Sequence, residues 1–463
     1  MKKILIYCTI LVIILQGATY ASAFEVRISG DKLSLHADQV PLQSILQLFA
    51  DLGITIRIDP QLNPKISASF EDQDIQKAMD SILRSFDHVL IWESIEGSPG
   101  AITKLAEIQV FKPGKKGLMK QLGIRSELAI TRDPRDGSLF VKNEILLRLK
   151  PGMSLSELKR LLSQINGTVV DSNAAMGIYK IRLPENSDIP ILVEQIIKHP
   201  GVAKAEPNYA YPISMPYRDA VPSVSASGFS VPPTPAGAVP IAILDTGLDP
   251  SFGLEGLVLT SLDALNPDES ISDSLGHGTQ MALIAAGVIK PYGVSSDAET
   301  HNPIIPIKAF DDNGFISNYD IMRSIDFALQ NGARVMSLSW GSETRSDFLE
   351  NDLDYANSRG LIIVASAGNE PTGKPVYPAA YRSVIGVGAL DPDGKSWEKS
   401  NYGDFVMLYA PGFASFPVGY KGDPGAYAGT SISAAFVANT IANYLSQNPK
   451  ATKQEILNAM GGH

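Results

Sequence analysis

Apolar and polar positions change texture three times along the chain, and each change predicts a different kind of unit. From residue 24 to about residue 93 the order is strand, helix, two strands, helix, strand. Leu42, Ile45, Leu46, Phe49 and Leu52 recur at helical spacing, as do Ile75, Ala78, Met79, Ile82, Leu83 and Phe86. Each set is one stripe on one helix face, which predicts core packing and no chemistry. Residues 94–143 are rich in Gly, Pro and Lys in places and predict a connector. A second small unit is expected over 144–212. It starts with a strand at 145–149, broken by Pro151-Gly152. Ser154 with Glu157 three residues on then forms a capping box and opens a helix with Leu155, Leu158, Leu161, Leu162 and Ile165 inward. Strands at 168–171 and 177–183, a helix over 189–198 and a strand at 202–205 complete a split ferredoxin-like α+β plan. Residues 213–238 carry many Pro, Ser, Ala and Gly and predict an exposed linker. Beyond it, continuous apolar runs at 239–244, 304–310, 334–338, 361–365 and 383–387 alternate with helical stretches such as Ile321, Met322, Ile325, Ala328 and Leu329. That is the pattern of a parallel sheet covered on both faces. The expected fold class is therefore α/β over 239–463, preceded by two small α+β domains.

The first 23 residues carry Lys2 and Lys3, an apolar run from Ile4 to Leu15 and Ala21-Ser22-Ala23. This is the layout of an export signal, with a run too short to span a bilayer. Cys8, the single cysteine, lies inside that run, so the exported chain would start near Phe24 without cysteine. The expectation is a periplasmic or extracellular protein with no stable membrane anchor. A disulfide framework, a cysteine-rich zinc site and an iron–sulfur cluster are excluded. The net charge of −10 leaves no basic surplus for phosphate, which excludes nucleic acid as the main partner.

Three short strings carry chemistry. The strand at 239–244 runs into Asp245 of Leu-Asp-Thr-Gly, at the end of a parallel strand where functional side chains collect. Taken alone, an Asp before Thr-Gly is more often a turn former than a functional residue. His277 lies in Gly276-His277-Gly278-Thr279 at the mouth of an apolar helix, and His36, His88, His199, His301 and His463 lack such surroundings. Ser431 lies in Gly429-Thr430-Ser431-Ile432-Ser433, opening a small-residue helix whose N-terminus would favour developing negative charge. Thr430 or Ser431 could instead serve as a plain N-cap, and Ser433 reads as packing. Asp, His and Ser occur in the chain order of subtilisin, against Ser-Asp-His in the α/β-hydrolases. No G-x-S-x-G, H-E-x-x-H or Walker A string competes.

On these strings residues 239–460 resemble the subtilisin-like serine proteases. VASAGNE at 364–370 resembles the family's oxyanion segment, MSLSWG at 336–341 its substrate-binding strand, and YPAAYRSVIGVGAL at 377–390 and APG at 410–412 also fit. The resemblance implies Ser431 as nucleophile, His277 as general base and acid, Asp245 as its orienting carboxylate and Asn369 as an oxyanion donor. It also implies Ser339, Trp340, Gly341, Ala367 and Gly368 along the substrate cleft, with Ala367 and Gly368 leaving room for an apolar side chain. The 144–212 unit then looks like the family's inhibitory propeptide, with GVAKAEPNYAY near its end, Tyr209-Ala210-Tyr211 in the substrate groove, and processing between about 211 and 236. The sequence departs from the family in Ala435-Phe436 after the nucleophile helix starts, in Leu248-Asp249-Pro250-Ser251-Phe252 after Asp245, and in a short tail after Ser431.

Catalysis by these residues implies no cofactor. Family members often hold structural calcium, but no acidic cluster here has a calcium-loop spacing, so no metal ligands are assigned. LSLHADQVPLQSILQLFADLGITIRID and FEDQDIQKAMDSILRSFDHVLIW resemble the short N-terminal domain of secretins and TonB-dependent receptors, which implies an envelope protein as a docking partner. The expected function is a self-processing serine endopeptidase acting on protein or peptide substrates. Its rival is a catalytically idle binding or assembly protein that keeps the fold.

Overall fold

The computed structural model describes residues 25–29, 32–51, 54–59, 62–94, 103–112, 116, 119–121, 128–174, 176–214, 216–218, 237–267, 270–294, 301–419 and 424–462. The expected export signal at 1–23 and positions 219–236 of the expected linker lie outside the described residues.

In the N-terminal unit, strands Glu25–Ser29, Lys32–Pro41 and Lys65–Asp74 form an antiparallel sheet. A second sheet runs in the order Asp87–Ser94, Thr103–Phe111, Thr55–Ile58, Lys120–Gln121. Helices Leu42–Asp51 and Ile75–Leu83 turn the predicted stripes inward, with Leu42, Ile45, Phe49, Ala78 and Met79 fully buried. The expected connector is corrected here. Thr103–Phe111 is a full strand with Leu105, Ile108 and Val110 buried, so this unit does not end at 93. A register shift between Ile91 and Trp92 skips Ala106, which puts Leu105 and Ile108 three apart and hides the two-residue period of a strand.

The second unit is a sheet in the order Thr168–Asn173, Ile178–Arg182, Leu139–Leu149, Val202–Pro212, with Ile130–Arg132 also paired to Leu139–Leu149. It therefore begins inside the expected connector, and its first long strand starts before 145. Ser154 and Glu157 form the predicted capping box of helix Leu155–Gln164. Helix Ile189–Ile196 packs beside it, over a core that includes Ile145, Leu147, Leu158, Leu161, Ile181 and Val202. Val202–Pro212 extends seven residues past the expected strand end: Glu206, Pro207 and Tyr209 continue the pairing with Leu139–Leu149, and Ala210–Pro212 pair with another unit, at Phe315–Ser317.

The C-terminal unit is built on a seven-stranded sheet in the order Leu262–Asp263, Ile304–Lys308, Ile241–Asp245, Val335–Leu338, Ile362–Ser366, Val384–Leu390, Val406–Pro411. Every pairing in it is parallel. Alternate residues of one strand serve two cores. Ile241 and Ile243 join helices His277–Ala285 and Thr430–Gln447, while Ala242 and Leu244 join helices Asn318–Gln330 and Asp347–Ser358. Truncating Ile243, 1% exposed, to Ala would cost about 2–5 kcal/mol. A small antiparallel sheet joins Phe413–Phe416 to Gly425–Ala428 and Gly425–Ala428 to Tyr217–Arg218. Ile213, Tyr217 and Arg218, within the expected exposed linker, are therefore tied to the C-terminal unit.

Candidate active site

Asp245 ends its strand at the carboxyl edge of the parallel sheet and is 1% exposed. Its Oδ1 lies 2.7 Å from Nδ1 of His277, which is fully buried and opens helix His277–Ala285. The same carboxylate oxygen accepts the Thr246 N–H at 2.8 Å. Ser431 lies in the first turn of helix Thr430–Gln447. Its N-cap is Gly429, with no side-chain cap, so neither Thr430 nor Ser431 is used as one. Ser431 Oγ and His277 Nε2 are both buried without a hydrogen-bond partner. Ser433 is packing, as its sequence position predicts, and its Oγ donates to the Ala410 carbonyl at 2.9 Å.

The glycines around His277 serve close backbone approach. A Cβ on Gly278 would sit 2.3 Å from the Gly247 carbonyl oxygen, and one on Gly276, at φ +82°, would sit 2.3 Å from that of Gly419.

Sequence reasoning overlooked Asp273. Its Oδ1 accepts from Thr246 Oγ1 and the Gly276 N–H, both at 2.8 Å. Its Oδ2 accepts from the Thr279 N–H at 2.8 Å and Thr279 Oγ1 at 2.7 Å. Thr246 Oγ1 in turn accepts the Gly278 N–H at 2.8 Å. One carboxylate thus ties the residue after Asp245 to the first turn of the His277 helix. The available signal was an Asp four positions before the histidine of a Gly-His-Gly helix start.

Asn369 Oδ1 accepts from the Thr430 N–H and Thr430 Oγ1, both at 2.9 Å, which fixes its amide beside the Ser431 turn. A Cβ on Gly429 would lie 3.4 Å from Asn369 Nδ2.

The end of the second unit occupies the groove between two strands of the C-terminal unit. Ala210, Tyr211 and Pro212 pair antiparallel with Ser317, Ile316 and Phe315. The Ile213 N–H donates to the Gly314 carbonyl at 2.9 Å, and Ile213 bridges Trp340 on the other side. Tyr211 is fully buried with its ring 5.2 Å from Trp340. Beyond Ile213 the next described pairing is Tyr217 with Ala428, three residues before Ser431. Ile213 is thus held at Trp340, and Tyr217 beside the strand that leads into Ser431.

The five cleft residues expected from the resemblance divide. Trp340 pairs with the tail and is fully buried. Ser339 is buried with its Oγ unpartnered. Gly341 backs onto Val376, where a Cβ would meet Val376 Cγ1 at 2.5 Å. Gly368 donates its N–H to Thr430 Oγ1 at 3.2 Å. Ala367 is fully buried with its N–H on the Val387 carbonyl at 2.9 Å.

The second unit holds the C-terminal unit through charged groups as well. Glu206 Oε1 accepts the Asp347 N–H at 3.0 Å and Oε2 accepts Ser346 Oγ at 2.7 Å, which places a carboxylate at the N-terminus of helix Asp347–Ser358. Asn208 Oδ1 accepts the Tyr319 N–H at 3.1 Å. Arg148 lies 5.3 Å from the Phe348 ring centroid, and Asp352 is fully buried with neither oxygen hydrogen-bonded. Burial pushes the Asp352 carboxyl well above the usual range, with Asp326 adding to the rise and Arg148 opposing it. Among the described residues no cluster of three or more His, Cys, Asp or Glu could hold a metal ion, and no helix is long and apolar enough to cross a membrane.

A buried carboxylate–imidazole pair at the edge of a parallel sheet, with a serine in the first turn of a helix packed on that sheet, defines the class as a serine hydrolase. Comparisons with known proteins narrow it. The subtilase (peptidase S8) family model matches residues 237–460, and the fervidolysin N-terminal prodomain model matches 129–208. The chain is 31% identical to thermitase of Thermoactinomyces vulgaris over 217 residues, covering 46% of this chain and 76% of thermitase. It is 29% identical to a thermophilic serine proteinase of Bacillus sp. (strain AK1) over 318 residues, covering 66% of this chain and 79% of that protein. The crystal structure of fervidolysin from Fervidobacterium pennivorans, described as a keratinolytic enzyme related to subtilisin, shares the fold with a TM-score of 0.56 at 23% identity, covering 71% of this chain and 58% of fervidolysin. The chain belongs to the subtilase family: it is a subtilisin-like serine endopeptidase made with a prodomain.

Proposed function

We propose that Ser431, His277, Asp245 and Asn369 carry out peptide-bond hydrolysis, and that the chain first cuts itself between its prodomain and its catalytic domain. Ser431 Oγ attacks the substrate carbonyl while His277 Nε2 takes the hydroxyl proton. The C–N bond then breaks and the same proton passes to the leaving amine, leaving an ester on Ser431. Water, deprotonated by His277, releases the acid and restores the serine. Asp245 holds Nδ1–H, fixing the tautomer and stabilising the imidazolium. The Ser431 N–H and Asn369 Nδ2 receive the oxyanion. All these groups come from the chain itself.

The observation that carries this reading is the 2.7 Å Asp245–His277 contact, buried beside a groove already occupied by the chain's own strand. Ile213 is held at Trp340 and Tyr217 beside the strand that leads into Ser431, so we place the maturation cut between them, narrower than the 211–236 span the sequence suggested. Export fits the character of residues 1–23, with the periplasm or the exterior as destination. The N-terminal unit, outside both matched regions, is proposed to dock on an envelope protein. A fluorophosphonate probe tests the site: it is expected to label Ser431 of the matured enzyme, with labelling and peptide hydrolysis both lost in Ser431→Ala and His277→Ala. Unchanged labelling of Ser431→Ala would overturn the assignment. Deleting residues 24–121, the whole N-terminal unit, tests the idle assembly-factor reading, since hydrolysis of a soluble peptide is expected to survive the deletion.

A further inference from the structure

At Tyr217 the chain is held by more than backbone pairing. Tyr217 and Arg218 pair with Ala428 and Tyr427. The Tyr217 ring stands edge-on to Trp397, with centroids 5.5 Å apart and planes at 77°, and Lys399 Nζ lies 3.7 Å from the centre of the same ring. Trp397 is a fixed wall: it is 8% exposed and stacks edge-on against Phe413 at 5.7 Å. Ala389, Phe413 and Ala428 pack with it, and Ala428 leads directly into Gly429-Thr430-Ser431. An aromatic ring here meets an indole at a T-shaped angle and a cation, a combination that favours an aromatic over an aliphatic side chain.

We infer that Trp397 and Lys399 form a subsite on the leaving-amine side of the cut, selective for substrates with an aromatic side chain at the position Tyr217 takes. This rests on the protease reading above. Tyr217 is then the chain's own occupant of a site that later selects external protein substrates. Because the pair flanks Gly425–Ala428, whose following residues carry Ser431, a ring seated there fixes the register of the departing strand relative to the nucleophile.

Two measurements test this, one of them independent of catalysis. In full-length Ser431→Ala, which cannot cut itself, trypsin cleavage after Arg218 reports how tightly the segment is held. Tyr217→Ala and Lys399→Gln are each expected to speed that cut by roughly twofold to thirtyfold, the span of exposed to desolvated cation–π contacts. Tyr217→Phe should leave it unchanged, and the two substitutions combined should add little to either alone. Unchanged trypsin rates in both single variants would overturn the inference. Matured wild-type enzyme digesting a mixed peptide library should yield new N-termini enriched in Tyr, Phe or Trp at one fixed position among the first four residues, with the enrichment lost in Lys399→Gln. Cutting with no aromatic preference would also overturn it. If no peptide is cut at all, it is the protease reading that fails, and the trypsin rates still decide whether the pocket holds Tyr217.

Discussion

Asn369 shows how little freedom the reacting groups have. Its carbonyl oxygen is taken by two donors from Thr430, so the amide cannot flip without losing both. Asn369→Ala is expected to lower turnover by about 10²–10³ with little change in KM, the cost of removing one oxyanion donor from a serine protease. Steady-state hydrolysis of a short peptide checks this, and a rise in KM with turnover unchanged would move Asn369 to substrate binding. Gly247 is constrained from the other direction. It sits at φ +123°, and a Cβ there would come within 1.9 Å of the Ser272 carbonyl oxygen. Gly247→Ala should destabilise the fold measurably, because the neighbour is backbone and cannot swing aside.

The His277 helix is positioned at its first turn, where four backbone donors lack partners within the helix. Asp273 supplies that turn and also reaches Thr246, so it couples the strand that carries Asp245 to the helix that carries His277. Asp273→Ala is expected to cost about 2–3 kcal/mol of stability, measured by denaturant unfolding of a Ser431→Ala parent. It should also lower turnover more than binding, with Asp273→Asn intermediate. Equal turnover in all three proteins would make Asp273 a purely structural cap. At this scale the sequence was legible where one signal determined one element. The buried strands, the two amphipathic helices of the N-terminal unit and the Ser154–Glu157 box are set by local patterns, and the structure has them. Thr103–Phe111 was hidden by its bulge. The last three residues of Val202–Pro212 were hidden because what makes them a strand is Phe315–Ser317, more than a hundred residues away. Asp273 was overlooked for a related reason. Its role depends on which backbone groups the fold brings to it, and a single sequence does not list those neighbours.

In the whole molecule the prodomain both plugs the groove and grips helices Asn318–Gln330 and Asp347–Ser358 through Asn208, Glu206 and Arg148. Glu206 gives that grip a pH dependence. It is held against Ser346 and Asp347 of the other unit, and burial raises its carboxyl pKa there, so docking favours the protonated form. The contribution is therefore full in acid and is lost as pH rises from the ordinary carboxylate range through the raised value. Prodomain retention after cutting is expected to be stronger at low pH than at neutral pH, and Glu206→Gln should flatten that dependence. Size-exclusion chromatography of the cut protein across pH checks it, and a steeper dependence in Glu206→Gln would contradict the sign.

Mass spectrometry of purified full-length wild-type and Ser431→Ala protein tests the central claim most directly. The account predicts that the wild-type is severed at a bond between Ile213 and Tyr217 while Ser431→Ala stays whole. Identical cutting of both proteins, or a Ser431-dependent cut elsewhere in the chain, would contradict it.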